Sequence, residues 1–158
     1  MTITIGTKAP DFELNLVTTS GETRTVKLKD FAGQNLVLFF YPKDDTSGCT
    51  AEACQFRDQQ PDFTATKTAI IGVSRDTVKS HNKFIDKYDL NFPLASDESG
   101  AVTEAFGVWV EKSMYGKKYM GIERTTVLID GKGIVRQVWP KVKVPGHAEA
   151  VLAAIKGL

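Results

Sequence analysis

Two uninterrupted apolar runs, Leu36-Val37-Leu38-Phe39-Phe40-Tyr41 and Ala69-Ile70-Ile71-Gly72-Val73-Ser74, most constrain how this chain can fold. A strand with one wet face alternates apolar and polar residues, whereas an unbroken run suits a strand covered on both faces. Between the two runs, Thr50 to Gln60 reads as a helix that Pro61 is expected to end. Asp76 to Asp89 reads as a second helix, with Phe84, Ile85 and Tyr88 on one face. Upstream, Leu14 to Leu28 alternates weakly about Ser20-Gly21, as a hairpin does. Downstream, Thr125 to Ile129, the turn Asp130-Gly131-Lys132-Gly133, and Ile134 to Trp139 read as strand, hairpin and strand. His147 to Leu158 spaces Ala148, Val151, Leu152 and Ile155 as one buried helical stripe.

This order predicts an α/β fold in which a central mixed β-sheet is flanked by helices on both faces. It is compatible with a thioredoxin-like fold carrying an N-terminal β-hairpin extension. The 158 residues suffice for one well-cored domain, so residues 1–158 are expected to form a single domain.

A net charge of +1 with the signs interspersed leaves no electrostatic footprint for nucleic acid. The longest basic cluster, Lys117-Lys118, reads as a solvated loop. No segment approaches the roughly 20 apolar residues of a membrane span. The start, Met1 to Gly6, lacks a signal-peptide pattern, and Ala9-Pro10-Asp11-Phe12 already reads as folded protein. No membrane partner and a cytoplasmic location are therefore expected. Two cysteines in so long a chain are not a secreted disulfide framework, and five positions apart they suggest redox chemistry.

The chemistry concentrates in Tyr41-Pro42-Lys43-Asp44-Asp45-Thr46-Ser47-Gly48-Cys49-Thr50-Ala51-Glu52-Ala53-Cys54. It follows a buried strand and opens a helix, so Cys49 should lie in the first turn. Free N–H groups and the positive dipole end there favour an anion, and thiol pKa values fall at such positions. An unperturbed thiol is only roughly 3% ionised at neutral pH, so such a setting decides its reactivity. A cysteine is often a small buried hydrophobe, and Cys54 on the helix could be no more than that. Cys49, after a Thr-Ser-Gly turn, is not explained so simply. Thr46 reads as a helix cap or as a hydroxyl aimed at the sulfur or a bound oxygen. Pro42 fixes φ at the strand exit and could shield the sulfur from water.

The C-x4-C spacing is not the C-x-x-C of thioredoxin-type exchange. Zinc would need further ligands, and only His81 and His147 exist, both distant in sequence. No metal and no other cofactor are expected. His81 reads as a partly covered surface residue. A Cys–His hydrolase would need one of these histidines as base, which chain order alone leaves open. A thiol–disulfide oxidoreductase and a non-enzymatic module on the same fold are the remaining alternatives. The absent C-x-x-C and the present Thr46 count against the first, and the second leaves the spacing of Pro42, Thr46 and Cys49 unexplained.

At P-x-x-x-T-x-x-C, these three residues resemble the active-site signature of the peroxiredoxins. The resemblance continues through Arg57-Asp58, Gly72-Val73-Ser74 and Tyr115 to Thr126, and favours the bacterioferritin-comigratory or peroxiredoxin Q subfamily. Ser47 and Val127 depart from residues common there, Pro and Phe. The resemblance implies a thioredoxin fold, no cofactor, and reduction of hydrogen peroxide or alkyl hydroperoxides. It implies Cys49 as peroxidatic nucleophile, Cys54 as resolving cysteine through an intrachain disulfide, Thr46 as the hydroxyl that holds the peroxide and Pro42 as the shield. Arg124 is implied beside the thiolate, and Glu52 as an acid that orients an arginine. Arg57 and Arg75 are weaker rivals, since Arg57 lies about 12 Å of helical rise from Cys49. Thioredoxin or a similar dithiol is the implied reductant, and a monomer the implied state.

Overall fold

A computed structural model of the protein describes residues 3–158. The strands are β1 (Glu13–Val17), β2 (Thr23–Lys27), β3 (Asn35–Phe40), β4 (Thr68–Ser74), β5 (Leu94–Ser96), β6 (Trp109–Met114), β7 (Lys117–Ile122), β8 (Thr125–Ile129) and β9 (Val135–Trp139). The helices are α1 (Ser47–Ala65), α2 (Val78–Tyr88), α3 (Ala101–Ala105) and α4 (His147–Lys156). Seven strands form one mixed sheet in the order β2-β1-β5-β4-β3-β8-β9, and β6 and β7 form a separate hairpin.

The unbroken run of β3 is two interleaved stripes. Leu36, Leu38 and Phe40 face one core, with Ile71, Val73, Phe106, Val127 and Ile129. Val37, Phe39 and Tyr41 face the other. β3 lies between β4, which is parallel to it, and β8, which is antiparallel. From β3 through β4 to β5 the chain steps one way across the sheet, always parallel. Right-handed crossovers that advance in one direction lay their helices on one face. Accordingly Phe56 and Phe63 of α1 share a core with Phe84 and Ile85 of α2, joined there by Val151 and Ile155 of α4. The opposite face is covered by α3, through Val102, and by Phe12, Phe106 and Val108. The helices thus flank both faces, unequally. This is the mixed α/β, thioredoxin-like arrangement expected, with the β1–β2 hairpin extending it.

Three expectations are corrected. Pro61 does not end α1, which runs on to Ala65. A proline inside a helix deprives the carbonyl four residues earlier of its partner. That carbonyl, on Arg57, instead accepts from Asn91 Nδ2 at 3.0 Å. His81 is no surface residue, for it is wholly buried between Asp44 Oδ2, 2.8 Å from Nδ1, and the Ala95 carbonyl, 3.0 Å from Nε2. Lys117-Lys118 is solvated but not a loop: it opens β7, opposite Met114 and Ser113 of β6. No helix among the described residues is long and apolar enough to cross a membrane.

Candidate active site

The end of β3 and the start of α1 build the site. Thr46 is the N-cap, in extended conformation, and its carbonyl accepts from the Thr50 N–H at 2.8 Å. Its hydroxyl does not cap the helix. It donates to the Lys43 carbonyl at 2.9 Å, which leaves its lone pairs free to accept. Cys49 falls in the first turn, as expected, and is 1% exposed. Pro42 is half-buried at the strand exit and Cys54 is half-buried further along α1. Both cysteines are free thiols.

Arg124 arrives from the corner between β7 and β8. That corner is fixed by Glu123 N–H donating to the Val108 carbonyl at 2.7 Å and Val142 N–H donating to the Arg124 carbonyl at 2.9 Å. From it, Arg124 Nη2 donates to Cys49 Sγ at 3.2 Å while Nη1 donates to Glu52 Oε1 at 2.8 Å. Gly48 permits this approach, since a Cβ there would stand 3.1 Å from Nη2. Burial works against the Arg124 charge, but Cys49 and Glu52 beside it hold the guanidinium more firmly ionised than usual. The helix terminus and the guanidinium together direct positive potential and N–H donors at Sγ.

The rival arginines lie elsewhere. Arg57 donates to the Tyr88 carbonyl at 2.7 Å and pairs with Asp58. Arg75 stacks over the Trp109 ring and donates to Thr103 Oγ1 at 3.0 Å.

Three neighbours were not legible as site residues. Lys112 of β6 is close enough that both Arg124 and Cys49 act on it: partial burial and Arg124 hold its pKa below the usual value, and Cys49 pulls the other way. His147 of α4 is 5% exposed, with Nε2 2.8 Å from Thr126 Oγ1 and 3.9 Å from Glu52 Oε2. Asp44, inside the motif, accepts from Tyr41 Oη at 2.6 Å and from Ser80 Oγ at 2.8 Å, besides facing His81. The tandem acids Asp44-Asp45 were the only local sign of this anchorage. Asp44, Asp76 and His81 bring three potential ligand atoms within 4.8 Å of one another. Those atoms are already engaged: Asp76 Oδ2 accepts from Asp44 N–H and from Ser74 Oγ, at 2.8 and 2.6 Å. The group ties the active-site loop to β4 and α2.

Residues 5–138 match the AhpC/TSA family, and the chain belongs to it. It is a peroxiredoxin, a peroxidase among the oxidoreductases, of the Bcp or peroxiredoxin Q kind. It is 48% identical to peroxiredoxin Bcp of Bacillus subtilis over 158 residues, covering all of this chain and 98% of that one. It is 51% identical over 148 residues to peroxiredoxin Bcp of Xanthomonas campestris, covering 94% of this chain and 91% of the other. Among solved structures, a mutant of Xylella fastidiosa PrxQ superposes with a TM-score of 0.90 at 40% identity, covering 99% of this chain and 98% of that one. A Xanthomonas campestris bacterioferritin comigratory protein, studied for its alkyl peroxide reduction activity, superposes at 0.84 and 49% identity, covering 92% and 90%.

Proposed function

We propose that this peroxiredoxin reduces hydrogen peroxide and alkyl hydroperoxides at Cys49, resolves the product with Cys54, and is returned to the dithiol by thioredoxin or a similar reductant. The observation that carries this reading is the double donation by Arg124, to Cys49 Sγ and to Glu52, at the first turn of α1. The Cys49 thiolate attacks one peroxide oxygen, the O–O bond breaks, and negative charge grows on the leaving oxygen. Arg124, fixed in direction by Glu52, is aimed at that charge without changing its own protonation. The Thr46 hydroxyl, its proton spent on Lys43, accepts from the peroxide O–H. Pro42 keeps water from the sulfur. The activity printed for the Xanthomonas campestris relative supports alkyl hydroperoxides as substrates here too.

Resolution requires α1 to open. Residues five apart on an intact helix have Cα atoms about 8.7 Å apart and point roughly 140° away from each other. A disulfide needs Cα atoms within about 7 Å and converging side chains. α1 is continuous through Cys49 and Cys54, so their bond requires local unwinding, which also exposes the disulfide to an attacking thiol. Because both cysteines belong to one chain, the reading takes residues 1–158 as a single domain acting as a monomer. It places the chain in the cytoplasm, where dithiol reductants are kept reduced.

The test is peroxide consumption with a thioredoxin system. Cys49→Ser is expected to lose it entirely and to remain folded. Cys54→Ser is expected to form sulfenic acid once and then stall or overoxidise. Turnover by Cys49→Ser above the background of the reductant would overturn the assignment.

A further inference from the structure

Arg124 is one positive charge facing two buried groups that can each carry a negative one. Cys49 and Glu52 stand three residues apart on α1, as neighbours on one helical face. The guanidinium donates to both. Glu52 is fully buried, and its second oxygen, Oε2, has no hydrogen-bond partner. A bare carboxylate oxygen in a dry site is costly, whereas a carboxylic acid is neutral there. Since Oε1 is taken by Arg124, a proton on Glu52 sits on Oε2. Oε2 faces His147 Nε2 of α4, whose imidazole is tied to Thr126. On the cysteine side, Lys112 of β6 has an acid of its own in Glu123, so Arg124 is the cation that Cys49 and Glu52 share.

Resting on the peroxidase reading of Cys49, we infer that Glu52 is the proton-holding counterpart of that cysteine across Arg124: a carboxylic acid while Cys49 is a thiolate, and a carboxylate once Cys49 is a sulfenic acid. Two anions on one half-buried guanidinium leave a net negative site, and none leaves it uncompensated. One negative charge balances it, and oxidation moves that charge from sulfur to carboxylate. Burial pushes the Glu52 carboxyl up to about 7 against the pull of Arg124. Burial and then Arg124 push His147 down to about 4, so the imidazole is neutral and does not compete for the role of cation.

The proton balance follows. The thiolate displaces alkoxide or hydroxide from the hydroperoxide, forming S–OH as the O–O bond breaks; sulfur loses two electrons and the peroxide gains them. The leaving oxygen takes a proton through solvent, and Glu52 releases one as the thiolate charge disappears. Glu52 works through Arg124 and does not touch the peroxide, so it is a positioning residue. Its protonation also leaves the thiolate as the one anion on Arg124 until the moment of reaction.

The experiment uses the full chain carrying Cys54→Ser, which halts at the sulfenic acid, at a pH where ultraviolet absorbance shows Cys49 as thiolate. Infrared difference spectra on adding hydrogen peroxide are expected to lose a protonated-carboxyl band and gain a carboxylate band. With Glu52→Gln added, that change should vanish. In a weakly buffered indicator solution, the first protein should take up far less than one proton per Cys49 oxidised and the Glu52→Gln protein close to one. Uptake of one proton by both, or no protonated carboxyl in the reduced protein, would overturn the inference. The carboxyl band decides alone where Glu52→Gln fails to fold. Absence of any sulfenic acid by mass would instead sink the peroxidase reading itself, and this inference with it.

Discussion

Two buried acid–base pairs flank the start of α1, and they are built to opposite rules. Asp44, paired with His81, has both oxygens engaged: Oδ1 accepts from Tyr41, and Oδ2 meets Ser80 and His81. The His81 ring is used at both nitrogens. The Ala95 carbonyl requires a donor at Nε2, which leaves Nδ1 to face Asp44. Glu52, paired with Arg124, leaves Oε2 bare and shares its arginine with a thiol. The saturated pair fixes the loop that carries Pro42 and Thr46 to α2, reinforced at the surface by Asp45 with Lys87 and Tyr88. The unsaturated pair holds the very turn that the proposed Cys49–Cys54 bond would open. A satisfied buried network rigidifies, and an unsatisfied one is a place where protons and conformations change.

The largest expected effect breaks the saturated pair. His81→Leu leaves Asp44 buried without its ring partner and should lower stability by about 3–5 kcal/mol in denaturant unfolding. The rate of sulfenate formation per folded molecule should change only a few-fold. A loss under about 1 kcal/mol together with a crippled rate would mean that the catalytic pair has been misidentified.

The second effect runs the other way. Arg124→Ala and Thr46→Val should each slow sulfenate formation by about 10²–10³, as deletion of an oxyanion donor does, with a much smaller loss of stability than His81→Leu. Stopped-flow single turnovers with excess peroxide measure this. Rates within a few-fold of wild type would assign the leaving oxygen to another group.

The smallest effect sharpens the comparison through pH. Glu52 titrates at about 7 in the folded chain against an ordinary 4.5, so it contributes stability at low pH that is lost as pH rises from 4.5 through about 7. His147 titrates at about 4 against an ordinary 6.5, so its contribution is present above 6.5 and lost as pH falls through about 4. The two slopes oppose each other over most of that window. Relative to wild type, Glu52→Gln should make stability climb more steeply between pH 4 and 6.5, and His147→Phe should make it fall between 4.5 and 7. Parallel pH profiles for all three proteins would show that neither group is perturbed.

The sequence displayed what local spacing and two-faced burial can encode. β3 and β4 were legible because both their faces are covered, and α4 because its stripe is continuous. Pro42, Thr46 and Cys49 were legible because they fall within eight residues of one turn. β5, with three residues, and α3, with five, are too short to carry a period. The β6–β7 hairpin forms a sheet of its own, and its Met114, Tyr119 and Met120 are exposed, so only Ile122 and Trp109 at its base report the core. Arg124 lies 75 positions from Cys49 and came from family resemblance, not from pattern. The partners of His81 and His147 are distant in the same way. Helical spacing alone puts His81 on the stripe of Val78, Phe84 and Ile85, but no rule applied to a single element could tell which groups it meets or that His147 backs the site.

Pro61 was misread for the same reason, since the amide that compensates for it comes from Asn91, 34 positions away. That substitution of a side-chain amide for a helix rung has a mechanical meaning. The residue 61 to residue 57 link is absent whatever the redox state, so α1 behaves as two cables spliced side by side rather than one. Tension from a Cys49–Cys54 crosslink travels down the first cable and meets the splice, where one rung of the ladder is missing and the turn is weakest. The second cable, through Phe63, is anchored in the core. Oxidation should therefore raise amide hydrogen exchange from residue 50 to about residue 57 and leave 62–66 nearly as protected as before. Asn91→Ala should let the loosening run past the splice.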